Sequence, residues 1–239
     1  MPPPVAKANY GIDAPGRVFA LVVVGIASSF AGIFIGSAAG VAAGIGPWVL
    51  AVVLLGLAVS MIVTSKVLKP RRWARTLDAL ELAGDEHALD AGCGRGVVTV
   101  ALARRLPQGS VVGVDIWRNR DQSGNTRRNA QLNLDLAGVA DRVEVRDAEL
   151  TKLPFADGAF DVVTCSLALG TMRDDDRVVA IGHLLRVTRG GGKLVIVDGR
   201  ATAGVVAALR AAAWEDITRR GSLVPFPRLS VVRATKPGA

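Results

Sequence analysis

The sequence contains few of the residues that usually carry redox, metal or acid–base chemistry. Among 239 residues there are two cysteines and two histidines. Cys93 and Cys165 lie far apart, without metal-site spacing, so we predict a reduced compartment, no disulfide framework and no metal. His87 begins an apolar run and His183 lies within a helical pattern, which favours structural roles for both. The sequence therefore indicates no catalytic base, and we assign no catalytic residue.

Charged residues are absent between Arg17 and Lys66. This gap is longer than a buried core helix needs, and it can hold two membrane spans of roughly 20 residues each. We predict a flexible N-terminal tail over residues 1–17 and a transmembrane helical hairpin over 18–68, with its turn at Ala43–Pro47. A signal peptide is the alternative, but the first apolar segment is longer than a usual signal core and a second follows at once. A hairpin buried in a soluble protein is the other alternative.

The charges that flank the apolar region predict its orientation. Lys7 and Arg17 precede the first span, and the predicted turn carries no charge. A basic cluster follows the second span: Lys66, Lys69, Arg71, Arg72 and Arg75. Basic residues mark the cytoplasmic side of a membrane. We therefore expect a multi-pass protein of the cell membrane, with both termini and the following domain in the cytoplasm.

Small residues recur every four positions along the first span, at Gly32, Gly36, Gly40 and Gly44. Residues four apart lie on one helix face, and small ones allow two helices to approach closely in lipid. The stripe is compatible with two arrangements. It packs the hairpin against itself, or it forms a homodimer through the first span.

From residue 72 to 239 apolar strand patterns alternate with helical patterns. Such alternation predicts an α/β domain with a Rossmann-like, mainly parallel sheet of six or seven strands and helices on both faces. The predicted strands are Ala88–Ala91, Val111–Ile116, Val143–Ala148, Phe160–Leu169, Lys193–Asp198 and Ser230–Ala234, with Ser222–Phe226 as an edge strand. The predicted helices are Trp73–Leu82, Val97–Leu106, Arg127–Ala137, Asp175–Thr188 and Ala203–Arg219.

A glycine-rich motif follows the first predicted strand. Asp90 ends the strand, and Gly92, Gly94 and Gly96 alternate before a helical pattern. Glycines permit positive φ and close approach of a ligand, and the following helix directs its free N–H groups at that ligand. Asp115, near the end of the second strand, is placed to accept hydrogen bonds from both ribose hydroxyls. These features predict a small-molecule site at the carboxyl ends of the strands.

With these motifs the chain resembles the class I S-adenosylmethionine-dependent methyltransferases from about residue 77 to 236. The resemblance implies S-adenosylmethionine as the cofactor. It further implies that Asp147 accepts a hydrogen bond from the adenine amino group. Ser166 and Leu167 would line the cofactor pocket, and Ile116 would contact the adenine. The implied cofactor-binding residues are Asp90, Ala91, Gly92, Cys93, Gly94, Gly96, Asp115, Ile116, Asp147, Ala148, Ser166 and Leu167.

The sequence indicates less about the methyl acceptor than about the cofactor. After the fourth strand the chain lacks the Asn/Asp-Pro-Pro-aromatic motif of amino-group methyltransferases, and Cys165 lacks the preceding proline of cytosine-C5 enzymes. A long loop, residues 116–125, follows Asp115, and the Trp73–Leu82 helix lies close to the predicted membrane. We expect Trp73, Trp117, Arg118 and Gln122 to contact a small acceptor that is apolar or membrane-resident, quinone-like or lipid.

The net charge of +8 indicates that the chain binds an anionic partner. Basic residues beside a membrane attract anionic headgroups, and the basic segments contain no interleaved aromatic platform for nucleic acid. We therefore predict a lipid bilayer as partner and no nucleic acid. Two alternatives stay open: a membrane scaffold that binds the cofactor without transferring methyl, and an anchored enzyme that acts on a soluble small molecule.

Overall fold

Two long apolar helices precede a seven-stranded sheet in the computed structural model, which describes residues 8–221 and 227–238. Helix α1 spans Pro15–Ala39 and α2 spans Val41–Val63. A π-helical turn, Thr64–Leu68, joins α2 to α3, Lys69–Asp78, without a break. The predicted amphipathic helix therefore begins earlier than Trp73 and continues directly from the second apolar helix.

The hairpin formed by α1 and α2 turns at Gly40, so the predicted turn at Ala43–Pro47 is wrong. Gly40 has φ 91°, a backbone conformation that is unfavourable for residues other than glycine. Pro47 lies inside α2. A proline removes one backbone hydrogen bond, and a long apolar helix tolerates this when its neighbours supply packing.

Small residues at intervals of seven form the contact between α1 and α2. The buried positions include Gly25 and Gly32 on α1, and Gly44, Ala51 and Ala58 on α2. A Cβ atom on Gly44 would lie 2.5 Å from the carbonyl oxygen of Gly32. The hairpin thus uses part of the predicted glycine stripe for contact between its own helices, and a homodimer is not required to explain it.

The sheet has the order β3-β2-β1-β4-β5-β7-β6, which confirms the Rossmann-like fold. Neighbouring strands from β3 to β5 are parallel, and β7 runs antiparallel to both β5 and β6. The strands are β1 His87–Ala91, β2 Ser110–Asp115, β3 Val143–Asp147, β4 Phe160–Ser166, β5 Thr188–Asp198, β6 Glu215–Gly221 and β7 Ser230–Thr235. The remaining helices are α4 Val97–Ala103, α5 Arg127–Ala137, α6 Asp174–Val187 and α7 Thr202–Ala211. Two buried apolar clusters, one of which includes Trp73 and Leu77 of α3, form the core of this domain.

The C-terminal region differs from the prediction. The predicted helix Ala203–Arg219 ends at Ala211, and its last part is strand β6. An alanine-rich segment favours helix, but Ala213 adopts φ 53° and ends it. β6 is a polar edge strand, so it lacks the apolar alternation of a half-buried strand. The predicted strand Ser222–Phe226 lies outside the described residues.

Residues 9–14, here called the strap, pack on the α/β domain, so the predicted flexible tail is wrong for them. The Asn9 N–H donates to Asn133 Oδ1 at 2.9 Å. The Ser123 N–H donates to the Ile12 carbonyl at 2.9 Å, and the Ile12 N–H donates to Ser123 Oγ at 2.8 Å. An isolated β-bridge joins Asp13 to Gln122. The strap is fixed by contacts more than 100 residues away in the chain, which local composition does not reveal.

Candidate functional site

A cavity of about 410 Å³ opens at the carboxyl ends of β1, β2 and β4. This is the edge of a parallel sheet where ligands bind in doubly wound folds. Of the predicted cofactor-binding residues, the cavity is lined by Gly92, Cys93, Gly94, Asp115, Ile116, Ala148, Ser166 and Leu167. Of the predicted acceptor residues, it is lined by Arg118 and Gln122. Within the described part of the chain, Asp90, Ala91, Gly96, Asp147, Trp73 and Trp117 do not line it.

The glycine turn, residues 92–96, needs glycine for two reasons. Gly92, Gly94 and Gly96 have φ of 75°, 52° and 83°. A Cβ atom on Gly92 would lie 2.5 Å from the Ala168 Cβ atom, and one on Gly94 would lie 2.5 Å from Gln122 Oε1. Helix α4 begins directly after the turn, at Val97. The turn therefore brings bare backbone to the cavity wall.

Asp115 closes the turn from the neighbouring strand. Its Oδ2 atom accepts a hydrogen bond from the Gly94 N–H at 2.8 Å. Its Oδ1 atom accepts from the Trp117 N–H at 2.6 Å and from Asn125 Nδ2 at 3.1 Å. These bonds fix the carboxylate at the cavity wall, the position expected of an acid that binds ribose hydroxyls.

Asp90 lies beneath the turn rather than in the cavity wall. Its side chain is fully buried and accepts hydrogen bonds from Thr99 Oγ1 at 2.6 Å and Thr164 Oγ1 at 3.0 Å. Burial, only partly offset by these bonds, raises the pKa of Asp90 to about 6. Asp90 thereby ties β1 to α4 and β4, and this structure gives it a supporting role.

Both cysteines are buried, and burial is the main cause that raises their pKa values. A thiol that stays protonated is a poor nucleophile. Cys93 therefore lines the cavity as a small apolar wall, and Cys165 packs in the sheet core.

One residue of the cavity wall and one beside the cavity carry backbone strain. Leu167, directly after β4, has φ 61°, and Trp117, after β2, has φ 57°. Positive φ in a bulky residue is uncommon and is often stored at functional sites. The Leu167 N–H donates to the Val197 carbonyl at 2.8 Å, which holds the residue in place.

Several predicted residues act next to the cavity rather than in it. The exposed Asp147 carboxylate accepts a hydrogen bond from Trp117 Nε1 at 2.5 Å and lies 3.7 Å from Arg127. Ala148, its neighbour, lines the cavity. Trp73 is fully buried, and its Nε1 donates to Ser166 Oγ at 3.1 Å. Trp73 therefore orients a wall residue and offers no surface to an acceptor.

Among the wall residues that sequence reasoning missed are Asp13 of the strap and Lys69 of α3. Lys69 Nζ lies 2.9 Å from Asp13 Oδ1, and both side chains are largely buried. Gln122 Nε2 donates to the same Asp13 oxygen at 3.2 Å, and Gln122 Oε1 accepts from the Arg95 N–H at 2.9 Å. A chain of hydrogen bonds thus connects the end of the hairpin to the glycine turn. The only signal in the sequence was a single acid before the apolar region.

The residues present fit S-adenosylmethionine. The glycine turn leaves space that a Cβ atom would fill, Asp115 presents carboxylate oxygens, and the apolar side chains of Ile116 and Leu167 also line the cavity. Gly92, Gly94, Asp115, Ile116, Ala148 and Leu167 are the residues that would hold the cofactor.

Comparison with known proteins identifies a methyltransferase domain in this chain. Residues 89–196 match the family described as "Methyltransferase domain". A demethylmenaquinone methyltransferase from Lactiplantibacillus plantarum is 35% identical over 130 residues, which are 54% of this chain and 52% of the relative. A sterol 4-C-methyltransferase from Caenorhabditis elegans is 32% identical over 121 residues, 51% of this chain and 33% of the relative.

The chain spans about half the length of the bacterial relative and a third of the sterol enzyme. Among solved structures, the [4+2]-cyclase SpnF has a TM-score of 0.59 at 18% identity, covering 71% of this chain and 82% of its own. This last likeness concerns the fold alone, since one fold hosts different reactions.

Proposed function

We propose that the chain is a membrane-anchored, S-adenosylmethionine-dependent enzyme that methylates a small, apolar or membrane-resident acceptor, which the match of residues 89–196 to the methyltransferase domain supports. The observation that carries the proposal is that the two segments flanking the hairpin line the cavity. Asp13 lies two residues before α1, Lys69 is the first residue of α3, and both line the cavity. A molecule that leaves the lipid at this end of the hairpin would meet the cofactor without crossing water.

The surface of the hairpin supports insertion in a membrane. Its outward side chains are large, apolar and exposed, and soluble proteins rarely expose so large an apolar area. The most exposed are Phe19, Phe30, Phe34, Val41, Val52 and Val59, each at least 59% accessible. Both helices have the length and hydropathy of membrane spans. With Arg17 and the basic cluster at the open end, both termini and the domain face the cytoplasm in this proposal.

The names of the relatives support the choice of acceptor. Several similar proteins are demethylmenaquinone or ubiquinone/menaquinone methyltransferases, and one acts on a sterol. Quinones and sterols dissolve in bilayers, so an anchored enzyme meets them at high local concentration. We therefore propose a quinone-like or lipid acceptor for this chain.

The wall residues bind and orient the reactants. When bound, S-adenosylmethionine supplies an electrophilic methyl group on a sulfonium. Val97, Val98 and Met172 contribute apolar side chains to the cavity lining. Methyl transfer can proceed through proximity and in-line alignment, which agrees with the absence of an assigned catalytic base.

The test is transfer of a labelled methyl group in vesicles. The full chain is incubated with native membrane lipids and deuterated-methyl S-adenosylmethionine, and the lipids are analysed by mass spectrometry. We expect one labelled lipid species with the wild type and at least a tenfold loss with Asp115→Ala. Asp135→Ala, an exposed acid on α5, is the matched control.

Two outcomes would contradict the proposal. Calorimetric binding of the cofactor without label in any lipid would favour a scaffold that does not transfer methyl. Label only in water-soluble extract molecules would favour an anchored enzyme for a soluble acceptor.

A further inference from the structure

The ion pair of Asp13 and Lys69 occupies the boundary between the cavity and the hairpin. Its two residues are 56 positions apart, and Lys69 Nζ lies 2.9 and 3.2 Å from the two Asp13 oxygens. The side chains are 20% and 10% accessible. Removing an ion pair from water to this extent costs free energy, unless further polar groups form hydrogen bonds with the two charged side chains.

The pair has hydrogen-bonding capacity left over. A lysine ammonium has three N–H donors. Among residues 8–221 and 227–238, the hydrogen bonds found for this ammonium are those to the Asp13 carboxylate. The Asp13 Oδ1 atom also accepts from Gln122, and the Asp13 N–H donates to Ser65 Oγ at 3.1 Å. The Asp13 carboxylate is therefore held by Lys69 and Gln122 and its backbone by Ser65, while Lys69 retains a donor that can bind an oxygen in the cavity.

The position of the pair separates it from the predicted cofactor contacts. The glycine turn, Asp115, Ala148 and Leu167 belong to the ends of the sheet strands. Asp13 and Lys69 belong to the segments that flank the hairpin, and Lys69 follows the exposed apolar residues Val63 and Val67 in the sequence, which are 41% and 39% accessible. An amphiphile whose apolar part lies along the hairpin would bring its polar end to the end of the hairpin where the pair lines the cavity.

We propose that Asp13 and Lys69 form the polar end of the acceptor site. Lys69 donates a hydrogen bond to a hydroxyl or carbonyl oxygen of an amphiphilic acceptor, and Asp13, braced by Gln122, holds the ammonium in place. The acceptor class is a ring or polycyclic lipid that carries an oxygen at its polar end. This inference rests on the proposed methyltransferase function and adds to it the residues that recognise the acceptor.

The experiment separates acceptor binding from cofactor binding. The full chain in vesicles is assayed with reduced demethylmenaquinone as the probe acceptor, and cofactor affinity is measured by calorimetry. Lys69→Met removes the donor, and we expect the acceptor KM to rise about tenfold, as for one hydrogen bond to a charged donor. The Kd for S-adenosylmethionine should stay within twofold, and Lys69→Arg should restore part of the acceptor affinity.

Lys66→Met is the matched control, because Lys66 is exposed, lies one turn earlier and does not line the cavity. It should leave both constants unchanged. A raised Kd for the cofactor with an unchanged acceptor KM would overturn the inference and assign the pair to the cofactor. Unchanged constants in a folded Lys69→Met variant would make the pair purely structural. A wild type that binds the cofactor but methylates no amphiphile would instead refute the proposed function.

Discussion

At the scale of single residues, Asp90 predicts how stability depends on pH. Its pKa is raised from an ordinary value near 4 to about 6, because the charged form is buried. The folded state therefore binds a proton more tightly than the unfolded state. The contribution of Asp90 to stability is complete below about pH 4 and is lost as the pH rises through about 6.

Asp90→Asn should remove this dependence. The amide keeps an oxygen that can accept from the threonine hydroxyls but carries no charge to bury. At pH 7.5 we expect the variant to exceed the wild type in unfolding free energy by on the order of 2 kcal/mol, and at pH 4 to be no more stable. Thermal unfolding in detergent between pH 4 and 8 measures this. Asp135→Asn, at an exposed site, is the control, and parallel curves for Asp90→Asn and wild type would contradict the prediction.

From the surroundings of Gly92 we predict that cofactor affinity depends on the absence of a side chain at this position of the turn. An added methyl group would lie 2.5 Å from the Ala168 Cβ atom and would meet a φ of 75°. We expect Gly92→Ala to weaken S-adenosylmethionine binding at least tenfold by calorimetry. Gly138→Ala is the matched control, because Gly138 has φ 66°, open space and no place in the cavity. Equal loss in both variants would trace the effect to backbone strain alone.

For single residues, the sequence predicts features that depend on neighbouring residues and misses contacts between residues far apart in the chain. The glycine turn was predictable because positive φ and close approach restrict the choice of residue within a few positions. Trp73 was predicted in the acceptor site because helical periodicity marks an apolar face, but periodicity does not say what covers that face. Asp13 and Lys69 were missed because their contact spans 56 residues and a basic cluster beside a span already had a topological explanation.

At the scale of elements, the hairpin depends on glycine at its helix contact. A side chain on Gly44 would meet the Gly32 backbone at 2.5 Å, whereas one on Gly46 would meet nothing within 4 Å. We expect Gly44→Leu to separate α1 from α2 and to destabilise the hairpin by roughly 1–3 kcal/mol, the cost of overpacking. Denaturant titration in detergent, followed by helical circular dichroism, measures this. Gly46→Leu should match the wild type, and a similar effect of both would refute this packing.

Element boundaries followed the sequence where a boundary has a local cause. α5 spans Arg127–Ala137 as predicted, because Thr126 caps its start and Gly138 ends it with φ 66°. The hairpin turn was misplaced because four glycines and a proline compete over residues 36–47, and packing between the helices decides among them. β6 was missed because an edge strand with charged side chains carries no apolar alternation.

At the scale of the whole molecule, the strap, the start of α3 and the ends of the sheet strands line one cavity. Deletion of residues 1–68 would therefore remove Asp13 and leave Lys69 without its partner, so such a deletion cannot separate anchoring from site assembly. Point labelling avoids this problem. The native thiols provide a low background for it, since both are buried and have raised pKa values.

If the hairpin spans a bilayer, its turn and its open end lie on opposite sides. Val41 lies at the turn and is 82% accessible, and Gly16 lies at the open end with no atom within 4 Å of an added Cβ. In sealed vesicles with the domain outside, a membrane-impermeant maleimide should label the Gly16→Cys variant at once and the Val41→Cys variant only after detergent is added. Mass spectrometry of the intact protein measures the labelled fraction. Equal labelling of both variants without detergent would place the hairpin on one side of the membrane, and acceptor entry from the lipid would then lose its structural basis.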